Sequence, residues 1–237
     1  ARVVVGSADP NPLVAGAGIC RLREAGVAVT EGVLREKCDA VNRIFFHYIR
    51  TKTPYVTMKY AMTMDGKTAT WAGHSRWITG APARIRVHEA RNRHMAIMTG
   101  AGTIQADDPL LNCRIPGGRS PIRLICDTGL RTPVTARVVE TAREVPTWFL
   151  TCCRDVSRQE KYVERGCRVL PIPPLNGHVD MKKAVEQLGE EGIDSIYLEG
   201  GTALNASALE ADIVQALHCY IAPRLFGGTE SRGPVGG

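Results

Sequence analysis

Residues 55–80 read YVTMKYAMTMDGKTATWAGHSRWITG, and residues 98–114 read MTGAGTIQADDPLLNCR. From Tyr55 the chain alternates, with Val56, Met58, Tyr60 and Met62 toward one face and Thr57, Lys59, Ala61 and Thr63 toward the other. A period of two predicts a strand with one polar face. Lys59 in that polar row is either a solvated side chain on an edge strand or a cation facing a cleft. Asp65-Gly66 marks a turn, and Gly73 lets backbone come close to a ligand. Ser75 offers a hydroxyl; Trp77 either packs into the core or lends a flat face to a ligand.

A basic helix is predicted from Ala81, with Thr79 as its N-cap. Arg84, His88 and Arg91 share one face of it, either as a solvated basic face or as a phosphate anchor in which a guanidinium forks onto phosphate oxygens. Met95 to Met98 predicts a buried strand. The turn Thr99-Gly100-Ala101-Gly102-Thr103 then leads into a short helix, gathering free N–H groups at one spot, although it is not a GxGxxG. Asp107 and Asp108 point different ways, so one can hold backbone while the other contacts a ligand. Arg114 follows six residues on.

C-terminal to this stretch, strands are predicted over 121–126, 147–151, 168–171, 195–199 and 214–221, and helices over 156–165 and 181–190. The Gly200-Gly201 turn opens a further helix. Strands alternating with helices give an α/β class with a mainly parallel sheet. Active sites in such sheets lie beyond the carboxyl ends of strands, where residues 59–63, 98–103, 126–128 and 198–201 fall.

N-terminal to it, residues 2–6 form a short β-branched strand, then a Pro- and Asn-rich turn leads to a helix with Ile19, Leu22 and Ala25 on one stripe. Val27 to Val29 is a second strand. One longer helix is predicted over 34–51, with Leu34, Cys38, Val41, Ile44, Phe45 and Tyr48 at helical spacing. Thr53-Pro54 is a boundary, because proline pushes its neighbour out of helix. A unit of about fifty residues has little surface to bury alone, so it is expected to dock on the rest or on a partner.

The 237 residues suffice for one large domain or one domain and a fragment. A hydrophobic share of 44% and a charged share of 23% describe an ordinary globule. The net charge of +6 suits anionic small substrates. With aromatics at 5% and no basic run interleaved with them, nucleic acid is not expected as a partner. Eight cysteines form no CxxC pair, and no histidine lies at finger spacing, so reduced thiols and no metal are expected. No apolar run approaches the ~18 residues of a membrane helix, and no membrane partner is expected. Scattered thiols suit a cytoplasmic protein.

MKYAMTMDGKTAT, GHSRWITG, HEARNRHMAIMTGAGTIQADDPLLNCR and IYLEGGTALNASAL resemble, in order and spacing, the reductase half of bifunctional riboflavin-biosynthesis proteins of the RibD type. The resemblance runs from about Tyr55 to Gly228. It implies a dihydrofolate-reductase-like fold and NADPH-dependent reduction of 5-amino-6-(5-phosphoribosylamino)uracil to the ribityl product. By position in those motifs it implies cofactor contacts at Ala61, Trp77, Thr103, Asp107, Thr128 and the run Gly201, Thr202, Ala203, Leu204, Asn205, Ala206 and Ser207. It implies substrate contacts at Ser75, Arg91, Leu111, Arg114 and Glu199. Lys59 is the nearest candidate for a catalytic proton donor, and Glu199 is also counted as catalytic. Read without the family, Glu199 is either an acceptor for substrate groups or an acid capping a turn.

DPNPLVAGAGICRLREAGVAV is similar to the end of the deaminase half of the same proteins. The His-x-Glu and Pro-Cys…Cys motifs that deamination requires are not in this sequence, so neither zinc nor deaminase activity is expected from this chain. The expected organisation is therefore a deaminase remnant over residues 1–53 and a reductase domain over 54–237, the latter lacking its last strands. A homo-oligomer is expected, because an incomplete sheet leaves an edge. The competing readings are a non-catalytic fragment that binds nucleotide or self-assembles, and a dihydrofolate-reductase-like enzyme for another substrate.

Overall fold

The computed structural model describes residues 1–73 and 78–236. Its first unit contains β1 (Arg2–Val5), α1 (Ala17–Glu24), β2 (Ala28–Glu31), α2 (Arg35–Val41) and α3 (Arg43–Thr51). The central stretch supplies β3 (Tyr55–Thr63), α4 (Ala81–Arg93), β4 (Ala96–Gly100), α5 (Ala101–Asp107) and β5 (Ile122–Cys126). Then follow α6 (Arg137–Glu140), β6 (Thr147–Thr151), α7 (Val156–Val163), β7 (Arg168–Pro171), β8 (Pro174–Leu175) and β9 (His178–Val179). The chain closes with α8 (Met181–Glu190), β10 (Ser195–Leu198), α9 (Thr202–Glu210) and β11 (Ala216–Ala222).

Seven strands form one sheet in the order β11-β3-β10-β4-β5-β6-β7. Every neighbouring pair is parallel. One face carries Val56, Met58, Met98, Leu124, Leu150, Ile196 and Leu198 against Met181, Ala184, Val185 and Leu188 of α8 and Ala208 of α9. The other face carries Ile97, Ile125 and Phe149 against Ile104 of α5, Val138 and Val139 of α6 and Tyr162 of α7. Burial on both faces is what parallel crossovers impose. β3 and β4 are consecutive along the chain, yet β10 lies between them in the sheet. From β4 the chain builds outward through β5, β6 and β7, while β11 adds beyond β3. The carboxyl ends of β3, β10 and β4 are thus the switch point where a parallel sheet opens a crevice.

One open alternative is decided and two local expectations are corrected. The polar row of β3 is not that of an edge strand: Thr57 and Thr63 are buried, and the strand is flanked on both edges. Thr57 Oγ1 meets His94 Nε2 at 3.0 Å, and Thr63 Oγ1 donates to Asp65 at 2.5 Å. Buried hydroxyls are accommodated because each finds a partner.

The helix expected over 34–51 is two helices, broken at Asn42 (φ −107°, ψ 24°). Asn competes with the helix for its own backbone groups. The break turns Phe46 inward and leaves Val41 exposed. Thr79 does not cap α4: Gly80 holds the N-cap position, and Pro82 sits in the first turn, where a missing N–H costs nothing.

Candidate active site

Glu199 follows β10 directly. Its N–H donates to Met98 O at 2.8 Å, and Thr99 Oγ1 donates to its carbonyl at 3.0 Å. These bonds fix the backbone of Glu199 against β4, and its side chain lies between Lys59 of β3 and Arg91 of α4. There Arg91 meets it in a fork, with Nε to Oε1 at 2.6 Å and Nη2 to Oε2 at 3.0 Å. Lys59 Nζ lies 3.7 Å from Oε2. Lys59 and Glu199 side chains are only 18% and 10% exposed. Burial alone would push the Glu199 carboxyl up, but Arg91 and then Lys59 outweigh it and hold the group below the usual carboxylate range. Glu199 is therefore an ionised acceptor between two cations, and the turn-capping alternative falls away.

Arg91 Nη1 donates to Asn112 O at 2.9 Å. Three of the five N–H groups of Arg91 are thus taken by protein, which leaves two. Arg91 is held as a structural partner of Glu199 more than as an open phosphate anchor. Arg114 is different: it is exposed, and its contacts are with His88, backbone N to Nδ1 and Nε to Nε2 at 3.3 Å each. A neutral imidazole has one acceptor nitrogen, so one of the two is a hydrogen bond at a time. Burial, then Arg91 and Arg114, lower the pKa of His88 and keep it neutral. The cluster of Lys59, Arg91, Arg114 and Glu199 carries a positive excess, which suits an anionic ligand.

A second group of residues adjoins the same strand ends. Gly201 is the N-cap of α9 and has no side-chain cap. Among the described residues no side chain caps the first N–H groups of α9, at its positive end. A Cβ at Gly201 would lie 3.4 Å from Thr103 Oγ1, and one at Gly200 would lie 3.0 Å from Leu204. The two glycines thus keep a narrow cradle between α5 and α9. Asn205 is buried beneath it, its Nδ2 donating to Pro234 O at 2.9 Å while Oδ1 has no protein partner. Asp107 is the exposed last residue of α5, and Ala61 lies near the end of β3. Thr202, Ala203, Leu204, Ala206 and Ser207 form the first turns of α9 with Asn205.

The remaining sequence candidates separate. The side chain of Leu111 lies in the core, at a positive φ of 52°, so only its backbone can face the cleft. Thr128 follows β5, and its carbonyl accepts from Cys152 N at 3.0 Å and Thr151 Oγ1 at 3.1 Å. Asp108 holds Arg137 N at 2.9 Å, at the start of α6, and so is the backbone-holding member of the acidic pair. Arg84 donates to Thr79 O. Ser75 and Trp77 lie outside the described residues. Among the described residues there is no His, Cys, Asp or Glu group able to hold a metal, and no helix is long and apolar enough to cross a membrane.

Two residues that shape the cleft escaped the sequence reading. Asp65, expected only as a turn residue, accepts from Gly227 N at 2.7 Å and from Phe226 N at 3.2 Å. The Thr63 hydroxyl and the Gly227 amide lower its carboxyl to about 2. Asp65 thereby clips the loop after β3 to a strap that continues to Gly236, whose N–H reaches Thr202 O. Arg123, inside β5, is fully buried and donates to Leu110 O, Thr141 and Val145 O. It anchors the loop that carries Leu111 and Asn112. An arginine between Ile122 and Leu124 carried no such signal. The Asp-Gly dipeptide did signal a turn, but not the partner 161 positions away.

A family profile described as the RibD C-terminal domain matches residues 54–237. Riboflavin biosynthesis protein RibD of Actinobacillus pleuropneumoniae is 52% identical over 236 residues, covering the whole of this chain and 63% of that protein. The structure of Acinetobacter baumannii RibD superposes with a TM-score of 0.85 at 32% identity, covering all of this chain and 64% of that one. A Thermotoga maritima protein described as a diaminohydroxyphosphoribosylaminopyrimidine deaminase/5-amino-6-(5-phosphoribosylamino)uracil reductase superposes with a TM-score of 0.81 at 32% identity, over 96% of this chain and 61% of that one. The chain thus spans a little under two thirds of these relatives. The fold expectation, a dihydrofolate-reductase-like α/β domain with a mainly parallel sheet, matches the observed architecture.

Proposed function

The chain belongs to the RibD C-terminal domain family, and we propose on that premise that it reduces 5-amino-6-(5-phosphoribosylamino)uracil with NADPH in riboflavin biosynthesis. The observation that carries this reading is the buried Lys59–Glu199–Arg91 cluster beside the glycine cradle at the start of α9. We assign residues 54–237 to the reductase and residues 1–53 to a deaminase-like remnant without deaminase chemistry.

The cradle fits a dinucleotide. An anionic pyrophosphate needs free N–H groups and close backbone approach, and Gly200, Gly201 and the uncapped first turn of α9 supply both. Thr103, Asp107, Ala61, Thr128 and Gly201 to Ser207 are the residues assigned to hold the cofactor, with Trp77. When bound, NADPH supplies the hydride. Glu199 accepts from hydroxyl or ring N–H groups of the substrate with the lone pairs that Arg91 leaves free. Lys59 offers an N–H beside Glu199, where reduction builds negative charge on nitrogen. Arg114, with Ser75, holds the phosphate, and Leu111 contributes backbone. Much of the rate comes from holding the two ligands in line.

Calorimetric titration with NADPH, against NADH as control, tests the cofactor half of this reading. We expect micromolar affinity for NADPH, weaker affinity for NADH, and a loss of about tenfold for Asp107→Ala, the worth of one or two polar contacts. A folded chain that binds neither nucleotide would overturn the reading.

A further inference from the structure

The interaction between His88 and Arg114 has no place in the chemistry above. Arg114 lies in the 108–121 loop and is exposed, so its side chain would otherwise sample many rotamers. His88 projects from α4 and meets that residue twice, at the backbone N–H and at guanidinium Nε, 3.3 Å each. The ring also faces the carbonyl of Asn112, which takes Arg91 Nη1 at 2.9 Å. The His88 carbonyl in turn accepts from Cys113 Sγ at 3.4 Å. Residues 112 to 114 are therefore docked one after another on a single turn of α4.

We propose that His88 is a positioning residue that sets the Arg114 guanidinium for the phosphate of the substrate. The inference rests on the proposed function, in which Arg114 is the phosphate anchor. The argument is geometric. With Nε on His88, the two terminal nitrogens of Arg114 have no partner among the described residues, and these are the donors that fork onto phosphate oxygens. Holding a long side chain in its bound rotamer removes an ordering cost at binding. The partner must accept, so the imidazole must be neutral. Arg91 and Arg114 face it on the cationic side and Glu199 on the anionic side, and the two guanidiniums oppose a charged ring.

The test is a double-mutant cycle read by binding of two probes, the phosphorylated pyrimidine substrate and the same riboside without its phosphate. His88→Ala is expected to weaken the phosphorylated probe about five- to tenfold, the cost of ordering one long side chain. The unphosphorylated probe changes by less than about twofold, within the scatter of a neutral substitution. In turnover the loss appears in KM rather than kcat. His88→Gln, whose carbonyl reaches the same place, recovers most of the affinity. In an Arg114→Ala background, His88→Ala costs nothing further. Equal weakening of both probes, or costs of the two substitutions that simply add, would overturn the inference and leave the proposed function standing. A wild-type chain that binds both probes alike would overturn the phosphate anchor and this inference together.

Discussion

In the sheet domain, Phe149 and Leu188 are completely buried, and two apolar clusters fill the space on either face of the strands. In residues 1–53, Phe46 is the one buried apolar side chain, while Leu13 and Val41 stand 92% and 82% exposed. Both regions alternate strands and helices, and β1–β2 and the seven-stranded sheet are both parallel. The difference is in how many layers each has. Each fully buried Leu or Phe contributes about 1.5–3 kcal/mol, so a region with one such side chain cannot offset the entropy of ordering fifty residues. The first region is held where α3 meets β3 and α8. There Tyr48 Oη donates to Gly189 O at 2.9 Å, and His47 packs edge-on against Tyr55 at 5.6 Å between ring centroids. The sheet domain supplies the interior against which the first region is ordered, and it carries the candidate site.

The contrast breaks most sharply at its strong end. Phe149→Ala removes a fully buried ring between α7 and the sheet and is expected to cost about 4 kcal/mol. Chemical denaturation should show one transition moved for the whole chain. Two transitions, with the sheet domain unmoved, would contradict a single interior.

Gly189→Ala acts at the junction. A Cβ on Gly189 would run into the carbonyl of Lys52, so the substitution should push the first region off α8 at about 1–3 kcal/mol. Hydrogen exchange in α3 should accelerate while β4 and β5 stay protected. Equal acceleration in both would mean that α3 opens only when the sheet does, against a first region held at its junction.

Acid sharpens the comparison. Burial lowers His47, His88, His94 and His218 from the ordinary 6.5, helped by Arg91 and Arg114 at His88 and by Arg43 and Arg93 at His218. A group whose native pKa is depressed binds fewer protons folded than unfolded. Its contribution is present in full above pH about 6.5 and is lost as pH falls through the lowered native values. Stability should therefore drop from pH 7 toward pH 5, and the drop should fall on the sheet domain and its junction, where these four residues lie. A flat profile across that range would contradict the burial of these rings.

At the weak end, Val41→Ser alters a side chain that is almost fully exposed. Thermal unfolding should move by less than about 0.5 kcal/mol equivalent. A larger loss would mean that Val41 is covered in solution.

The same contrast marks what the sequence makes legible. Strands Thr147–Thr151 and Arg168–Pro171 and helix Met181–Glu190 were readable to the residue: the helix buries one periodic stripe, and the strands are short runs that pack into a real interior. The helix over 34–51 was misread because no interior there enforces the period, and Asn42 breaks it. The β8–β9 hairpin was overlooked although Asn176-Gly177 spells its turn, with φ of 51° and 78°. In the site, residue types and strand ends were visible. The pairing of Arg91 with Glu199 across 108 positions was not, since it depends on β10 inserting between β3 and β4. That insertion also makes Lys59 a largely covered cation beside a carboxylate rather than a solvated edge-strand lysine. Arg91, read as a phosphate anchor, is largely occupied by that carboxylate for the same reason.

Glu199→Gln tests the central claim most directly. It keeps the shape of the side chain and removes the charge that Arg91 and Lys59 surround. The measurement is NADPH oxidation by the purified chain on the phosphorylated pyrimidine substrate, alongside NADPH affinity. The account predicts turnover by the wild-type chain, a fall on the order of a hundredfold in kcat/KM for the variant, and NADPH affinity that stays the same. A wild-type chain that binds NADPH but leaves it unoxidised, or a variant that turns over as fast as wild type, would contradict it.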